Sequence, residues 1–352
     1  MKILFISDLY PVKESEKRTP RTLSNFVSDW KNDSHEVDVI KPNFMLNAFV
    51  RKKPFYKQGN YNGVMNLNFW TPFWGKIKPP EKQYDVVIAH MPSGILYADK
   101  THLPFVAGIH NSDLTILTNP LYKFHFKKRM EKALENAKAI ACRSFALKEK
   151  FLHLYPQFEN KTFAAPSGIK EEIIVKRTPL QNPDKIKVLT CANYKKSKNI
   201  ERVLQATNGL DTFELTVIGL GTDTKKLRKL NPQAIFKGYQ PHEKVLDAMR
   251  GSDIFILPSK GETFGMVYLE AMASGCITVC SEKDGIDGII KNKVNGFTTK
   301  SSSDEIRKLL LSIKDMNSEA LKALSENSFN TIKQYTNKIC SRNYLQQIFK
   351  IL

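Results

Sequence analysis

The chain has 352 residues, 41% of them hydrophobic, with 54 Lys and Arg against 35 Asp and Glu, a net charge of +19. That length and apolar content suffice for two packed cores, and no apolar run approaches the ~18 residues of a membrane span. MKILFISDLYP reads as a strand followed by turn residues rather than a secretory leader, so a cytoplasmic enzyme is expected. Cys142, Cys191, Cys276, Cys280 and Cys340 are odd in number, scattered, and lack companion His or Cys ligands, which points to reduced buried thiols and no metal centre.

In chain order, short β-branched runs alternate with longer periodic segments. KILFIS, EVDVI, DVVIAH, FVAGIH, AIACRS and TFAAPS read as strands of a first half, and KVLTCA, LTVIGL, AIFKGY, DIFILP and ITVCS as strands of a second. Alternating strands and helices predict α/β architecture with two parallel sheets, each a Rossmann-like domain built of βαβ units. The expected division is 1–169, a charged, proline-bearing linker at 170–186, a second domain at 187–335, and an amphipathic last helix at 336–352. Charge is uneven: residues 51–150 hold 17 basic against 7 acidic side chains, with NFWTPFWGK and KFHFKKRMEK interleaving cations and aromatics. Anionic lipid, a solvated basic surface and nucleic acid all fit such a pattern. No nucleic-acid-binding motif accompanies it, so nucleic acid is not expected as a partner.

The densest chemistry lies in DIFILPSKGETFGMVYLEAMASG. A doubly buried strand ends at Pro258, a loop carries Glu262, and a helix begins after Gly265 with Glu270 on it. A helix start after a parallel strand favours anions, and glycine there permits close approach. Eight residues turn a continuous helix about 80° past two full turns, so periodicity alone does not align the two carboxylates. Taken alone, they read equally well as solvated glutamates.

The frame around them resembles the signature of the retaining glycosyltransferases of family four, in which Glu-x7-Glu sits among proline-serine, Glu-x-Phe-Gly and Leu-Glu-Ala-Met-Ala-x-Gly. KVLTCANYKKSKNIERVLQAT, LTVIGLGTDTKKL, IFKGYQPHEKVLDAM and NGFTT follow in that family's order, and the likeness extends over about residues 35–300. It implies the GT-B fold, two Rossmann-like domains with parallel sheets facing across a cleft, and a last helix able to cross back to the first domain. It further implies transfer of a sugar, with retention, from a UDP- or GDP-sugar to a glycan or lipid-linked glycan acceptor in cell-surface polysaccharide synthesis. The nucleotide sugar is then a substrate, and no cofactor is implied.

Residue by residue, the resemblance gives Glu262 the transferred sugar's hydroxyls and Glu270 the ribose. Thr263, Phe264 and Gly265 would offer donor contacts, as would Gly219 and Tyr239 at neighbouring strand ends. Lys198 would neutralise the departing diphosphate, with Lys195 or Lys196 replacing the family arginine, whose position holds Asn193. His110 matches a histidine facing the transferred sugar, with Asp113 as its weaker neighbour on the acceptor side. The glycine loop usual after the first strand is missing, so Thr19, Arg21 and Thr22 are the acceptor-side candidates. No Asp-x-Asp triplet occurs, and metal-independent transfer at the inner membrane face is expected. The competing readings are a Rossmann-type sugar-nucleotide epimerase and a non-catalytic basic binding protein on the same fold.

Overall fold

The computed structural model describes residues 1–12, 21–44, 56–61, 63–69, 80–122, 126–177, 179, 185–221 and 224–351. It divides into two compact units: Met1–Arg143 with Lys148–Pro166 and Asn337–Leu352, and Ser167–Thr336 with Ser144–Leu147. Both are α/β units around a parallel sheet, the GT-B type of architecture.

The first unit holds β1 (Lys2–Ser7), β2 (Glu36–Phe44), β3 (Tyr56–Tyr61), β4 (Val64–Phe69), β5 (Val86–His90), β6 (Phe105–Ile109), β7 (Ala139–Cys142) and β8 (Thr162–Ala164). Their order is β3-β4-β2-β1-β5-β6-β7-β8, parallel except where β3 runs against β4. Ile3 to Ile6 and Val86 to Ala89 are all fully buried. Such continuous apolar runs are what a strand covered on both faces requires. The hairpin β3–β4 is not anticipated from sequence. YKQGNY and VMNLNF are rich in Asn, Gln and Lys, a composition that suits the sheet margin, where β3 is the edge strand and β4 its neighbour.

The last helix, Asn337–Ile351, belongs to this unit. It lies against the helix Thr22–Asn32: Trp30, fully buried, donates its indole N–H to Ser341 O at 2.9 Å, and its ring meets Tyr344 at 5.7 Å. Arg342 pairs with Asp33 at 2.9 Å.

The second unit holds β9 (Ile186–Cys191), β10 (Phe213–Ile218), β11 (Ile235–Gly238), β12 (Ile254–Leu257), β13 (Ile277–Ser281) and β14 (Phe297–Thr299), ordered β11-β10-β9-β12-β13-β14 and parallel throughout. Alternate residues feed two cores. Ile254, Ile256 and Val279 pack with Val203, Leu204 and Leu310, whereas Phe255, Leu257 and Cys280 pack with Leu269, Met272 and Ile289. The charged stretch read as a linker begins inside this unit. Arg177 donates to Arg250 O at 2.7 Å and Ser252 O at 2.6 Å and pairs with Asp253 at 3.0 Å, while Val175 N bonds Ala273 O. Residues 178 and 180–184 of it lie outside the described set.

All five cysteines are free thiols, four of them buried, and burial pushes those of Cys191, Cys276 and Cys340 up to about 12.

Candidate functional site

In a sheet ordered 3-2-1-4-5-6, the crevice forms outside the carboxyl ends of strands 1 and 4, where the winding reverses. In the second unit those strands are β9 and β12. β9 leads into a loop that ends in a short 3-10 turn at Lys196–Lys198. β12 leads into residues 258–265 and then the helix Met266–Ala273. Two hydrogen bonds tie the loops together: Asn199 Nδ2 donates to Pro258 O at 2.7 Å, and Lys260 N to Ser197 O at 2.7 Å. Asn199 takes a left-handed conformation, φ 49°, to turn the chain into the next helix.

The junction brings Lys198 Nζ onto Glu262 Oε2, with both side chains roughly three-quarters covered. Asp284, at 8% exposure, holds the Glu262 loop from beneath by accepting from the backbone N–H of Gly261 and, at 3.2 Å, of Glu262. Gly265 enters the helix at φ +87°, and a Cβ there would lie 2.5 Å from the Tyr268 ring. Tyr268 is itself pinned by its hydroxyl, which donates to Leu257 O at 2.6 Å. Phe264 is buried in the core and anchors the loop, so only its backbone is available to a ligand; Thr263 is half-buried.

Glu270 follows on that helix. Its Oε1 meets His242 Nε2 at 2.9 Å, and this contact, ahead of the cost of burial, raises the imidazole above its ordinary value. Lys195, Lys196 and Asn193 are exposed and take no part in the Lys198–Glu262 pair. Lys195 and Lys196 instead line a cavity of about 410 Å³ with Ile200, Arg202, Lys226 and Leu230. Gly219 stands at φ +135° where β10 crosses close to β9: a Cβ would lie 1.9 Å from Ala192 O. Tyr239 is 68% exposed at the end of β11.

The first unit has the same winding, with its reversal between β1 and β5. There Ser93 donates to Asp8 Oδ2 at 2.7 Å, and burial lifts the Asp8 carboxyl above its usual range. His90 closes β5 and His110 follows β6, each capping a helix from extended backbone. His90 Nδ1 and His110 Nε2 are 3.1 Å apart, and His90 Nε2 is 3.1 Å from the Tyr344 hydroxyl. Burial, and then the Arg143 charge, pull His110 down to about 3. Asp113 is no open acceptor contact: it is fully buried, its Oδ2 accepts from His110 N at 2.7 Å, and burial raises it to about 7. Arg21 is exposed at the start of the helix Thr22–Asn32, accepting from Ser24 Oγ at 2.9 Å through its carbonyl. Thr19 lies outside the described residues, as do residues 70–76 and 123–125 of the two aromatic-basic stretches. Among the described residues no group of three His, Cys, Asp or Glu is disposed to hold a metal ion.

Sequence reasoning passes over Asp284, His242, His90 and Tyr344. Only His90 carries a local signal: DVVIAH and FVAGIH are parallel strands ending in the same residue.

Residues 172–331 match the family of glycosyl transferases group 1. An uncharacterized glycosyltransferase of Methanocaldococcus jannaschii is 26% identical over 97% of this chain and 95% of its own. A putative teichuronic acid biosynthesis glycosyltransferase of Bacillus subtilis is 25% identical over 82% and 83%. Among solved structures, Anabaena HepE in complex with UDP superposes with a TM-score of 0.71 over the whole of both chains, at 15% identity. The chain is thus similar along its whole length to glycosyltransferases, and the match to the group 1 family falls within its second unit.

Proposed function

We propose that this chain is a retaining glycosyltransferase that moves a sugar from a nucleotide diphosphate donor to a cell-surface glycan or lipid-linked glycan. The observation that carries the reading is the Lys198–Glu262 pair, set where the second sheet reverses its winding and beside a glycine-initiated helix. The pair uses Glu262 Oε2, so a sugar hydroxyl can take Oε1. Lys198 supplies a cation to the diphosphate as the bond between the anomeric carbon and the phosphate oxygen breaks. On this reading the departing oxygen accepts the acceptor's proton while the acceptor oxygen bonds the same face of that carbon. A fixed cation where charge accumulates lowers the barrier by several kcal/mol, and it makes a metal dispensable. Glu270 serves the ribose, for which His242 now competes. HepE's UDP supports a uridine donor, and the teichuronic acid relative supports a polysaccharide acceptor.

The test is a thermal-shift and donor-hydrolysis screen with UDP-, GDP- and ADP-sugars, with and without chelator. One donor class should raise the melting temperature, and turnover should survive the chelator. Glu262→Ala should abolish turnover while melting within a few degrees of the parent. A parent that neither binds nor cleaves any donor would sink the assignment.

We also propose that the first unit rests on an anionic membrane surface. Leu121 is 83% exposed, and the nearby helix Lys128–Asn136 presents Lys128, Arg129 and Lys132 outward while burying Met130, Ala133 and Leu134. No helix among the described residues is long and apolar enough to cross a membrane. Flotation at low salt should carry the protein with phosphatidylglycerol vesicles and not with phosphatidylcholine vesicles; equal recovery from both refutes the membrane reading.

A further inference from the structure

His90 has no part in the chemistry proposed above, yet the first unit is built around it. Its ring is fully buried, and β6 gives up a side chain to admit it: a Cβ on Gly108, its register partner on that strand, would lie 2.1 Å from His90 Nδ1. One ring nitrogen faces His110 and the other faces Tyr344, each at 3.1 Å. Tyr344 in turn is wedged edge-on among Phe26, Trp30 and Phe163, with ring centroids 5.5 to 5.8 Å away, which fixes where its hydroxyl points.

A neutral imidazole has one N–H, so a histidine bonded at both nitrogens donates from one and accepts at the other. If His90 donates from Nδ1, His110 must accept at Nε2 and carry its proton on Nδ1. If His90 carries its proton on Nε2 and donates to Tyr344, His110 must donate from Nε2. In either arrangement the two rings are protonated at the same nitrogen, and neither can change alone.

We infer that His90, held by Tyr344, is a positioning residue that fixes the ring plane of His110 and ties its tautomer to that of His90. The inference rests on the reading of His110 as the histidine that faces the transferred sugar. There, a ring free to exchange donor and acceptor would present the wrong polarity for part of the time. Both imidazoles are kept neutral by burial, so what the contact couples is a tautomer rather than a charge.

The test uses the full-length chain with histidine labelled by nitrogen-15, its ring signals assigned from single His→Gln variants. Long-range proton–nitrogen correlation should show His90 and His110 each as one tautomer, protonated at the same nitrogen. Tyr344→Phe keeps the aromatic packing but removes the hydroxyl. It should mix the His110 tautomers and lower kcat roughly tenfold, with KM changed less than about twofold. His90→Asn retains an amide near the Nδ1 position and should keep more kcat than His90→Leu. Rates are taken with whichever of UDP-glucose, GDP-mannose and ADP-glucose stabilises the parent most. Opposite tautomers in the two rings, or an unchanged His110 tautomer and kcat in Tyr344→Phe, overturn the inference. Full turnover by His110→Ala overturns instead the role given to His110 and leaves the tautomer result standing.

Discussion

The two units wind their sheets alike, yet the chemistry gathered at their points of reversal differs in kind. In the second unit the residues there are paired cation-former to carboxylate and partly open: Lys198 on Glu262, His242 on Glu270. In the first they are shifted toward their neutral forms: two histidines pulled down by burial, and the carboxyls of Asp8 and Asp113 pushed up by it. One topology therefore provides a position and not a reaction. The partners set there decide whether that position stores charge for a ligand or a fixed pattern of hydrogen-bond donors and acceptors.

The largest effect should come from the ionic side. Lys198→Met removes the cation and should cost about 10²- to 10³-fold in kcat, the scale of losing one preorganised electrostatic contact. A loss under about threefold in single-turnover donor cleavage would erase the contrast, because the second unit would then be no more electrostatic than the first.

Next is Gly265→Ala. The left-handed backbone and the Tyr268 ring 2.5 Å from the added methyl group should together lower urea stability by about 1–3 kcal/mol and weaken donor binding. Unchanged stability with normal binding would show that the loop can relax, removing the need for glycine at that helix start.

The smallest and most discriminating test is titration. As pH falls through about 6.5, unfolded histidines take protons that His90 and His110 refuse in the fold, so stability is lost at ~1.4 kcal/mol per pH unit for each. Asp113, shifted upward, is protonated in the fold before it is in the unfolded chain, and so offsets one of them. Asp113→Asn should thus steepen the fall in urea stability between about pH 6.5 and 5. His242 shifts the opposite way: its pairing strengthens the fold below about 6.5 and is lost as pH rises through the raised value. Proton NMR should place His242 above 6.5, with Glu270→Gln returning it toward that value. Shifts of one sign in both units would dissolve the distinction.

The sequence announced these two sites unequally. β12 and the loop behind it are legible because a short apolar strand, a glycine and a run of helix formers stand within about twenty consecutive residues. Glu262 is thereby located before any fold is known, and only the resemblance joins it to Lys198. Asp284, which holds that loop, carries no comparable mark, since its partners are backbone amides more than twenty residues away. In the first unit, His90 and His110 look like two ordinary strand ends, and their partner Tyr344 is 254 positions from His90. Contacts at that range follow from strand order and not from local pattern. The hairpin β3–β4 escaped for a different reason, because polar edge strands lack the alternation that reveals buried ones. Of the three lysines of 195–198, the resemblance singles out Lys198, and the 3-10 turn directs that one onto the glutamate.

The seating of the last helix bears on the order in which the molecule can be completed during synthesis. Apart from four residues, Ser144–Leu147, the second unit is one continuous stretch, Ser167–Thr336, and can close as soon as that stretch has emerged from the ribosome. The first unit cannot: Trp30 must wait for Ser341, and His90 for Tyr344, some 250 to 310 residues later. Trp30 thus stays without its hydrogen-bond acceptor until some 310 further residues have been made.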